Sequence, residues 1–475
     1  MSAELLTVDA TPIPGLLVAS LPVHRDGRGW FKENWQREKM TAAGVPDFTP
    51  VQQNISYNDD VGTTRGIHAE PWDKWVSVAA GRVFGAWVDL REGPSFGTVF
   101  TTEIDASRAV FVPRGVGNAY QTLEPATAYT YLVNDHWSAQ SEYVLLNVAD
   151  ETVGIPWPIP LSRAVLSGKD QAHPRLADVV PVAPRKILVV GANGQLGRAL
   201  RRVLGGGHVE YAAHEDLDLT ADVPSARPWR AYRTIINAAA FTAVDRAETA
   251  EGRVAAWRVN AEGAAALARV AADHALTLVH ISSDYVFDGD LDGEYGEEQP
   301  MNPLGVYGQT KAAGDIAAAS APRHYIVRTS WVVGDGPNFL RTMHALARKG
   351  ASPRVVDDQR GRLSFADDLA HAVAHLLESG APYGVYNITG SGEPMTWAEV
   401  AREVFAAAGS DPQRVVPVST QEYAATATAP TAPRPRNSVL SLTRIRGTGF
   451  EPRDHRAALA DYLASELPEG RAEPS

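Results

Sequence analysis

Gly191, Gly194 and Gly197 follow one another at three-residue intervals, between the apolar run Lys186–Val190 (KILVV) and the stretch GRALRRVL. A buried strand running through a glycine turn into a helix predicts the opening unit of a parallel α/β layer. Glycines at this spacing let a backbone approach a pyrophosphate at a helix N-terminus. Gly191, Asn193, Gly194, Gln195, Leu196 and Gly197 are therefore candidate dinucleotide contacts. An acidic residue about 20 positions further on would hold the ribose. Glu210, Asp216 and Asp218 are all near, and the strand end YAAH offers no evident clamp for a 2′-phosphate, so NADH and NADPH both stand.

The chain downstream keeps this character. The apolar runs TIINAAA (from Thr234), LTLVHISSDYVF (from Leu276) and HYIVRTSWVVG (from His324) alternate with Ala-rich helical stretches, notably Arg253–His274. Alternation of this kind predicts a parallel sheet covered on both faces. Upstream of about Asp170 the texture differs. Short β-rich runs such as Lys74–Leu90 and Ala109–Gly115 are broken by Gly, Pro and Asn, which predicts a β-sandwich or barrel. Between the two, His173–Arg185 carries three prolines and reads as a linker. The expectation is an all-β domain over 1–175, a linker over 176–185 and an α/β Rossmann domain with a small substrate-binding part over 186–468. Ala424–Pro433 reads as a loop and Leu467–Ser475 as a frayed tail.

Composition narrows the chemistry. A net charge of -12 gives no general electrostatic reason to bind nucleic acid or an anionic membrane. Without cysteine there is no disulfide, thiolate metal site or Cys nucleophile. The N-terminus lacks a signal-peptide layout, and no apolar run reaches the roughly 20 residues of a membrane helix. A cytoplasmic protein is the expectation.

Tyr307 and Lys311 stand four apart in YGQTK and share a helix face. Ketone reduction needs a hydride and a proton for the developing alkoxide. An ammonium nearby lowers a phenol's pKa and improves it as an acid–base group, and the Ser283 hydroxyl is a candidate to hold the carbonyl oxygen. From about Lys186 to Tyr462 the chain resembles dTDP-4-dehydrorhamnose reductase, an extended short-chain dehydrogenase. The motifs in register are GANGQLG, LDLT, INAAAFTAVDRAE, SSDYVFDG, YGQTK, RTSWVVG, DDQRGRLSFADDLA and RPRNSVL. The resemblance implies a catalytic triad of Ser283, Tyr307 and Lys311, with Ser283 where the family usually has Thr. It implies Asp218 and Leu219 near the adenine and Asn237, Ala238 and Ala239 along the cofactor. Asp284, Tyr285, Trp331 and Arg436 fall on the substrate side.

In the first half, HRDGRGWFKE, QQNISYN, RGIH, DLREGPSFG, TYLVNDHW and LSGKD occur in that order over roughly residues 10–175. They resemble dTDP-4-dehydrorhamnose 3,5-epimerase, a cupin-type sandwich. Carbons 3 and 5 of a 4-keto sugar are acidified by enolate formation, so a base and an acid on opposite ring faces suffice. The resemblance implies His68 as base oriented by Asp170, Tyr131 as acid and Lys74 beside the enolate oxygen. It implies that Arg28, Glu33, Gln52, Asn54 and Arg65 hold the nucleotide and diphosphate. Two positions depart from the family: Asn118 replaces a usual histidine, and Trp137 a usual tyrosine. Asn does not titrate near neutrality, so a proton relay through position 118 is lost. A metal cupin needs an H-x-H pair, a Glu and a later His; His68 lacks such partners in the sequence, so no metal is expected in this domain, and a Mg2+ ion supporting assembly stays open.

The leading expectation is a bifunctional enzyme, which by resemblance is a homodimer. It would convert a dTDP-linked 4-keto-6-deoxyhexose by epimerisation and NAD(P)H reduction to dTDP-L-rhamnose. One alternative is another dTDP-deoxysugar made with a weak, single-carbon or non-catalytic first domain. The other is a regulatory or binding subunit without catalysis, against which intact Tyr307 and Lys311 stand.

Overall fold

The computed structural model describes residues 6–137, 143–426 and 431–466. The expected frayed tail and the centre of the Ala424–Pro433 loop lie outside the described residues. The chain forms two compact units, Met1–Pro184 and Arg185–Ser475.

The first unit is built from two antiparallel sheets. In one, Thr7–Ala10, Leu17–Ser20, Arg108–Val112, Lys74–Ala80, Thr127–Val133 and Gln52–Asn58 lie side by side in that order. In the other the order is Val144–Leu145, Thr64–Ala69, Val116–Thr122, Val83–Asp89 and Val99–Ile104. Successive strand residues point to opposite faces. Val76, Val78, Val110, Val112 and Tyr129 from the first sheet therefore meet Val83, Trp87, Ile104, Val116 and Tyr120 from the second in one core. The outer face of the second sheet, with Ile67, Ala86, Val88 and Ala119, is covered by Leu146, Val148, Val153, Ile155 and Val179 of the later segment. The stretch read as a linker is structured at its start: Leu176–Asp178 form a single helical turn and Val182 bridges to Arg91.

The second unit carries a six-stranded parallel sheet. Its strands Val209–Ala212, Lys186–Val190, Tyr232–Asn237, Thr277–Ser283, His324–Thr329 and Gly384–Asn387 adjoin in that order. Ile187 and Val189 pack against Leu196, Ala199 and Leu200 of the helix Gln195–Leu204 and against Ala366–Ser379. Leu188 and Val190 turn the other way, onto Leu267, Ala268 and Ala271 of the helix Gly263–Asp273. A sheet buried on both faces accounts for strands that are apolar at consecutive positions rather than alternate ones. This is the doubly wound Rossmann-type layer expected from the sequence. The strand order reverses between Lys186–Val190 and Tyr232–Asn237, and a crevice forms at the carboxyl ends of strands at such a point. A separate core of Leu340, Met343, Leu363, Val404, Phe405 and Leu459 holds together a smaller lobe.

Candidate active sites

At the reversal, Gly191 adopts φ +82°, and a Cβ there would lie 2.6 Å from the Ala239 nitrogen. Gly197 abuts the turn from the helix side, where a Cβ would lie 2.3 Å from the Gly191 carbonyl oxygen. Gly194 caps Gln195–Leu204 without a side chain, so the first amides of that helix stay free for an anion. One cleft is lined by Gly191, Asn193, Gly194, Gln195 and Leu196, by Ala238 and Ala239, and by Ser283, Asp284, Tyr285, Tyr307, Lys311 and Trp331. A backbone cradle with no room for a Cβ, joined to an uncapped helix end, fits a dinucleotide.

Other residues predicted for this site play supporting parts. Asn237 is buried, bonds His280 at 3.2 Å and accepts from the Ala239 amide. Leu219 lies in the core. Asp218 is half-exposed and accepts from Thr220 at 2.8 Å. Glu210 is taken up by Tyr232, Arg227 and Lys186, and Asp216 by the Ala213 amide. Arg436 is 71% exposed and faces Asp290 at 3.6 Å, so it is not drawn into the cleft.

Val306–Ala318 is the helix carrying Tyr307, Lys311 and Asp315. Lys311 is buried, donates to the Ile281 carbonyl at 2.6 Å, and is pulled down to about 8 by burial, with Asp315 opposing. Asp315 is itself paired with Arg328 at 3.0 Å. Burial pushes the Tyr307 phenol well above its usual range, while hydrogen bonding to Ser283 works the other way. The expected lowering of this phenol by its lysine is thus corrected: burial raises it, and the ammonium is turned onto the Ile281 carbonyl. A phenol that keeps its proton suits the acid of a reduction. Ser283 Oγ donates to the buried Asp284 at 3.0 Å, whose carboxyl burial raises to about 6. Tyr285 meets Tyr307 edge-on at 5.4 Å, and Trp331 stacks on Trp397 at 3.8 Å.

Sequence reasoning passed over Asn260. The expected helix Arg253–His274 contains a wider π turn over Trp257–Glu262. Asn260 sits there, buried, accepting from the Phe241 amide at 2.8 Å and donating to Thr310 at 3.0 Å. It ties the cofactor-side loop to the Tyr307 helix. A lone Asn in an Ala-rich apolar helix was the available signal.

In the first unit, His68 is paired across strands with Asn118, so it shares the inner face with Val116 and Tyr120. Lys74 pairs with Val133, and Tyr131 lies two residues from Val133 on the same strand, which puts both on the opposed inner face. Base and acid candidates therefore come from opposite sheets. His68 Nε2 lies 3.3 Å from Asp170 Oδ1. A carboxylate only accepts, so Nε2 carries the proton and Nδ1 keeps the lone pair. Burial lowers the His68 pKa; Asp170 opposes this, and Lys74 and His173 add to it. A depressed imidazole is neutral at pH 7, as a base must be. Lys74 is buried, paired with Glu70 at 2.8 Å, and lies 5.5 Å from the Tyr131 ring. Burial, then Glu70, raises Tyr131 to about 12.

Asn118 accepts from the Tyr129 hydroxyl at 2.9 Å, a bond that joins the two sheets. Gln52 donates to Asn54 at 2.9 Å, and Arg65 to Asn58 at 3.0 Å. Arg28 is 91% exposed and pairs with Asp26, and Glu33 pairs with Lys39. Both make local contacts on or beside the hairpin His24–Asp26 and Gly29–Phe31. Trp137 is exposed, its amide bonded to Gln52. A second histidine, outside any H-x-H motif, joins the His68–Asp170 pair. His173 Nε2 lies 3.8 Å from Asp170 Oδ1, and its ring 5.4 Å from that of His68. The two histidines are 105 positions apart in sequence, so no local spacing reveals the pair.

Two sites of this kind define a two-domain chain of the nucleotide-sugar type, with a dinucleotide-binding reductase fold following a sheet-rich domain. Residues 185–467 match the RmlD substrate binding domain family and residues 10–178 match dTDP-4-dehydrorhamnose 3,5-epimerase, and the chain belongs to both families, one per unit. The protein named RmlC homolog of Streptococcus pyogenes serotype M6 is 49% identical over 37% of this chain and 91% of its own length. A probable dTDP-4,6-dihydroxy-2-methyloxan-3-one 4-ketoreductase of Streptomyces antibioticus is 40% identical over 60% of this chain and 98% of its own. The crystal structure of a Bacillus anthracis dTDP-4-dehydrorhamnose reductase in complex with NADP is 32% identical, covers 59% of this chain and 99% of its own, and superposes with a TM-score of 0.54. No helix among the described residues is long and apolar enough to cross a membrane.

Proposed function

We propose that the chain is a bifunctional, cytoplasmic enzyme of dTDP-L-rhamnose synthesis, with a cupin-type 3,5-epimerase followed by an extended short-chain-dehydrogenase reductase. The observation that carries this is the presence, in one chain, of a hydrogen-bonded His68–Asp170 pair and of a buried Ser283–Tyr307–Lys311 set beside a dinucleotide cradle. In the first unit His68 removes the proton at carbon 3 or 5 through Nδ1, and Lys74 steadies the enolate oxygen. Tyr131 returns a proton from the opposite sheet, its raised pKa keeping it protonated. In the second unit the Gly191–Gly197 turn and the Gln195 helix end hold NAD(P)H. That cofactor, when bound, supplies the hydride to carbon 4. Ser283 turns its hydroxyl from Asp284 to the carbonyl oxygen, Tyr307 protonates the alkoxide, and Lys311 keeps a positive charge beneath the site. Trp331 and Tyr285 are read as walls on the substrate side.

Ile55 and Tyr57 on the edge strand Gln52–Asn58, and Val51 just before it, are exposed, which supports a homodimer. The test is NAD(P)H oxidation by the purified chain given dTDP-4-keto-6-deoxy-D-glucose, with the product identified by NMR. Oxidation only when a separate epimerase is added would remove the first activity; no oxidation in either case would remove the second. The Asn118 departure and the kinship with the Streptomyces antibioticus 4-ketoreductase favour a second reading, another dTDP-deoxysugar formed by single-carbon exchange. One deuterium incorporated from D2O, instead of two, would select it.

A further inference from the structure

We propose that His68, Asp170 and His173 form a divalent transition-metal site that switches the epimerase off, an inference resting on the epimerase reading above. Two imidazoles and a carboxylate are the donor set that Zn2+ takes from proteins. Their ligating atoms all lie within 4.8 Å of one another. Tetrahedral ligands about 2.05 Å from Zn2+ stand roughly 3.3 Å apart. The His68–Asp170 separation is already 3.3 Å and the His173–Asp170 separation 3.8 Å. Two of the three separations are thus close to the tetrahedral value, and the third lies within 4.8 Å. His173 is about nine-tenths buried, and its Nδ1 has no hydrogen-bond partner among the described residues. No such bond at Nδ1 holds the ring away from ligation.

The same geometry makes ligation inhibitory. A neutral imidazole carries one N–H. In the metal-free site Asp170 keeps it on Nε2, leaving the Nδ1 lone pair for the sugar proton. A metal on Nε2 takes the lone pair of that nitrogen and displaces its hydrogen, which the neutral ring then carries on Nδ1, so the base is lost. Asp170, engaged by the cation, no longer orients the ring. No redox change is involved, and the metal leaves again to a chelator. His173 supplies the third ligand without being needed for proton abstraction.

The experiment uses the full chain in three arms. Zn2+ is expected to suppress solvent deuterium exchange at carbons 3 and 5 about 100-fold or more, the contribution of a positioned base, and EDTA to restore it. Reduction of an already epimerised ketosugar by the same sample should be unchanged. His173→Phe and His173→Asn should exchange without added metal, yet need roughly 10–100-fold more Zn2+ for inhibition. Co2+ should give a visible ligand-field spectrum with the wild type that both variants lack. Wild-type exchange insensitive to Zn2+ together with no Co2+ spectrum would overturn the proposal and leave the epimerase intact. Equal metal sensitivity in both variants would also overturn it, by placing the metal elsewhere. Should no exchange occur under any condition, the epimerase reading fails and the Co2+ spectra alone decide the metal site.

Discussion

Gly191→Ala is the substitution whose effect is most directly fixed by the coordinates. Its φ of +82° is a conformation that costs an L side chain about 1–2 kcal/mol. The new methyl would meet the Ala239 nitrogen at 2.6 Å, the Ala239 Cα at 2.7 Å and the Ala238 carbonyl carbon at 2.8 Å. All three are backbone, so no rotamer change relieves the overlap, and forcing such a contact adds about 1–3 kcal/mol. The sum, about 2–5 kcal/mol, is below the 5–15 kcal/mol that holds a domain folded. The second unit should therefore fold with a lower melting point and a displaced cradle. A shift near 1 Å at a reacting centre costs on the order of 100-fold, equivalent to about 2.8 kcal/mol. Fluorescence titration should show NADPH binding weakened by about that factor, and kcat/KM for ketosugar reduction should fall with it. Deuterium exchange by the first unit, a separate compact body, should persist. NADPH affinity within threefold of wild type, at an unchanged melting point, would refute the assignment of this turn as the cradle.

Tyr307→Phe should lower kcat for reduction by about 10²–10⁴-fold, the value of a positioned acid, while NADPH affinity by titration stays near wild type. Because burial brings Lys311 to about 8, its charge is full below that pH and lost above it; stopped-flow reduction rates should fall as pH rises through about 8. His68 is depressed by burial, so its neutral form persists below the usual imidazole range. Deuterium exchange should hold to lower pH than an ordinary histidine allows and disappear as pH falls through the lowered value; Asp170→Asn, removing the group that raises it, should move that limb further down. Glu70→Gln leaves the buried Lys74 ammonium without its carboxylate and should destabilise the first unit by about 3–5 kcal/mol in urea unfolding.

Local patterning made the scaffold legible. Lys186–Val190 reads as a strand buried on both sides because each residue from Ile187 to Val190 finds an apolar partner on one face or the other. Tyr307 and Lys311 read as one helix face because four residues are about one turn. Contacts between distant segments were out of reach. His173 meets Asp170 from a stretch that composition marks as linker, and Asn260 reveals its bonds to Phe241 and Thr310 only once the helix widens around it. Electrostatic signs were also hidden: a lysine four residues away suggests a lowered phenol, whereas the burial of Tyr307 raises it. Exposure separated residues that motif position had grouped, leaving Arg436 and Arg28 outside and Trp331 on the cleft wall.

The order of the two reactions follows from the carbonyl they share. Protons at carbons 3 and 5 are acidic only while carbon 4 is a ketone, so reduction ends any further epimerisation. A chain holding both sites in equal number is therefore exposed to premature reduction whenever proton exchange is the slower step. Asn118 sharpens this, because it occupies the strand position opposite His68 with an amide whose oxygen accepts from Tyr129 and which does not titrate. On the proposed reading, stereochemical fidelity then rests on the reductase refusing the unepimerised sugar, and the cleft-lining Trp331, backed by Trp397, and the edge-packed Tyr285 are the residues proposed to do so. Widening that wall by Trp331→Ala should raise the proportion of unepimerised 4-hydroxy sugar detected by NMR. A product ratio unchanged by the substitution would shift the burden of selection to the first unit and require its exchange to outrun reduction despite Asn118.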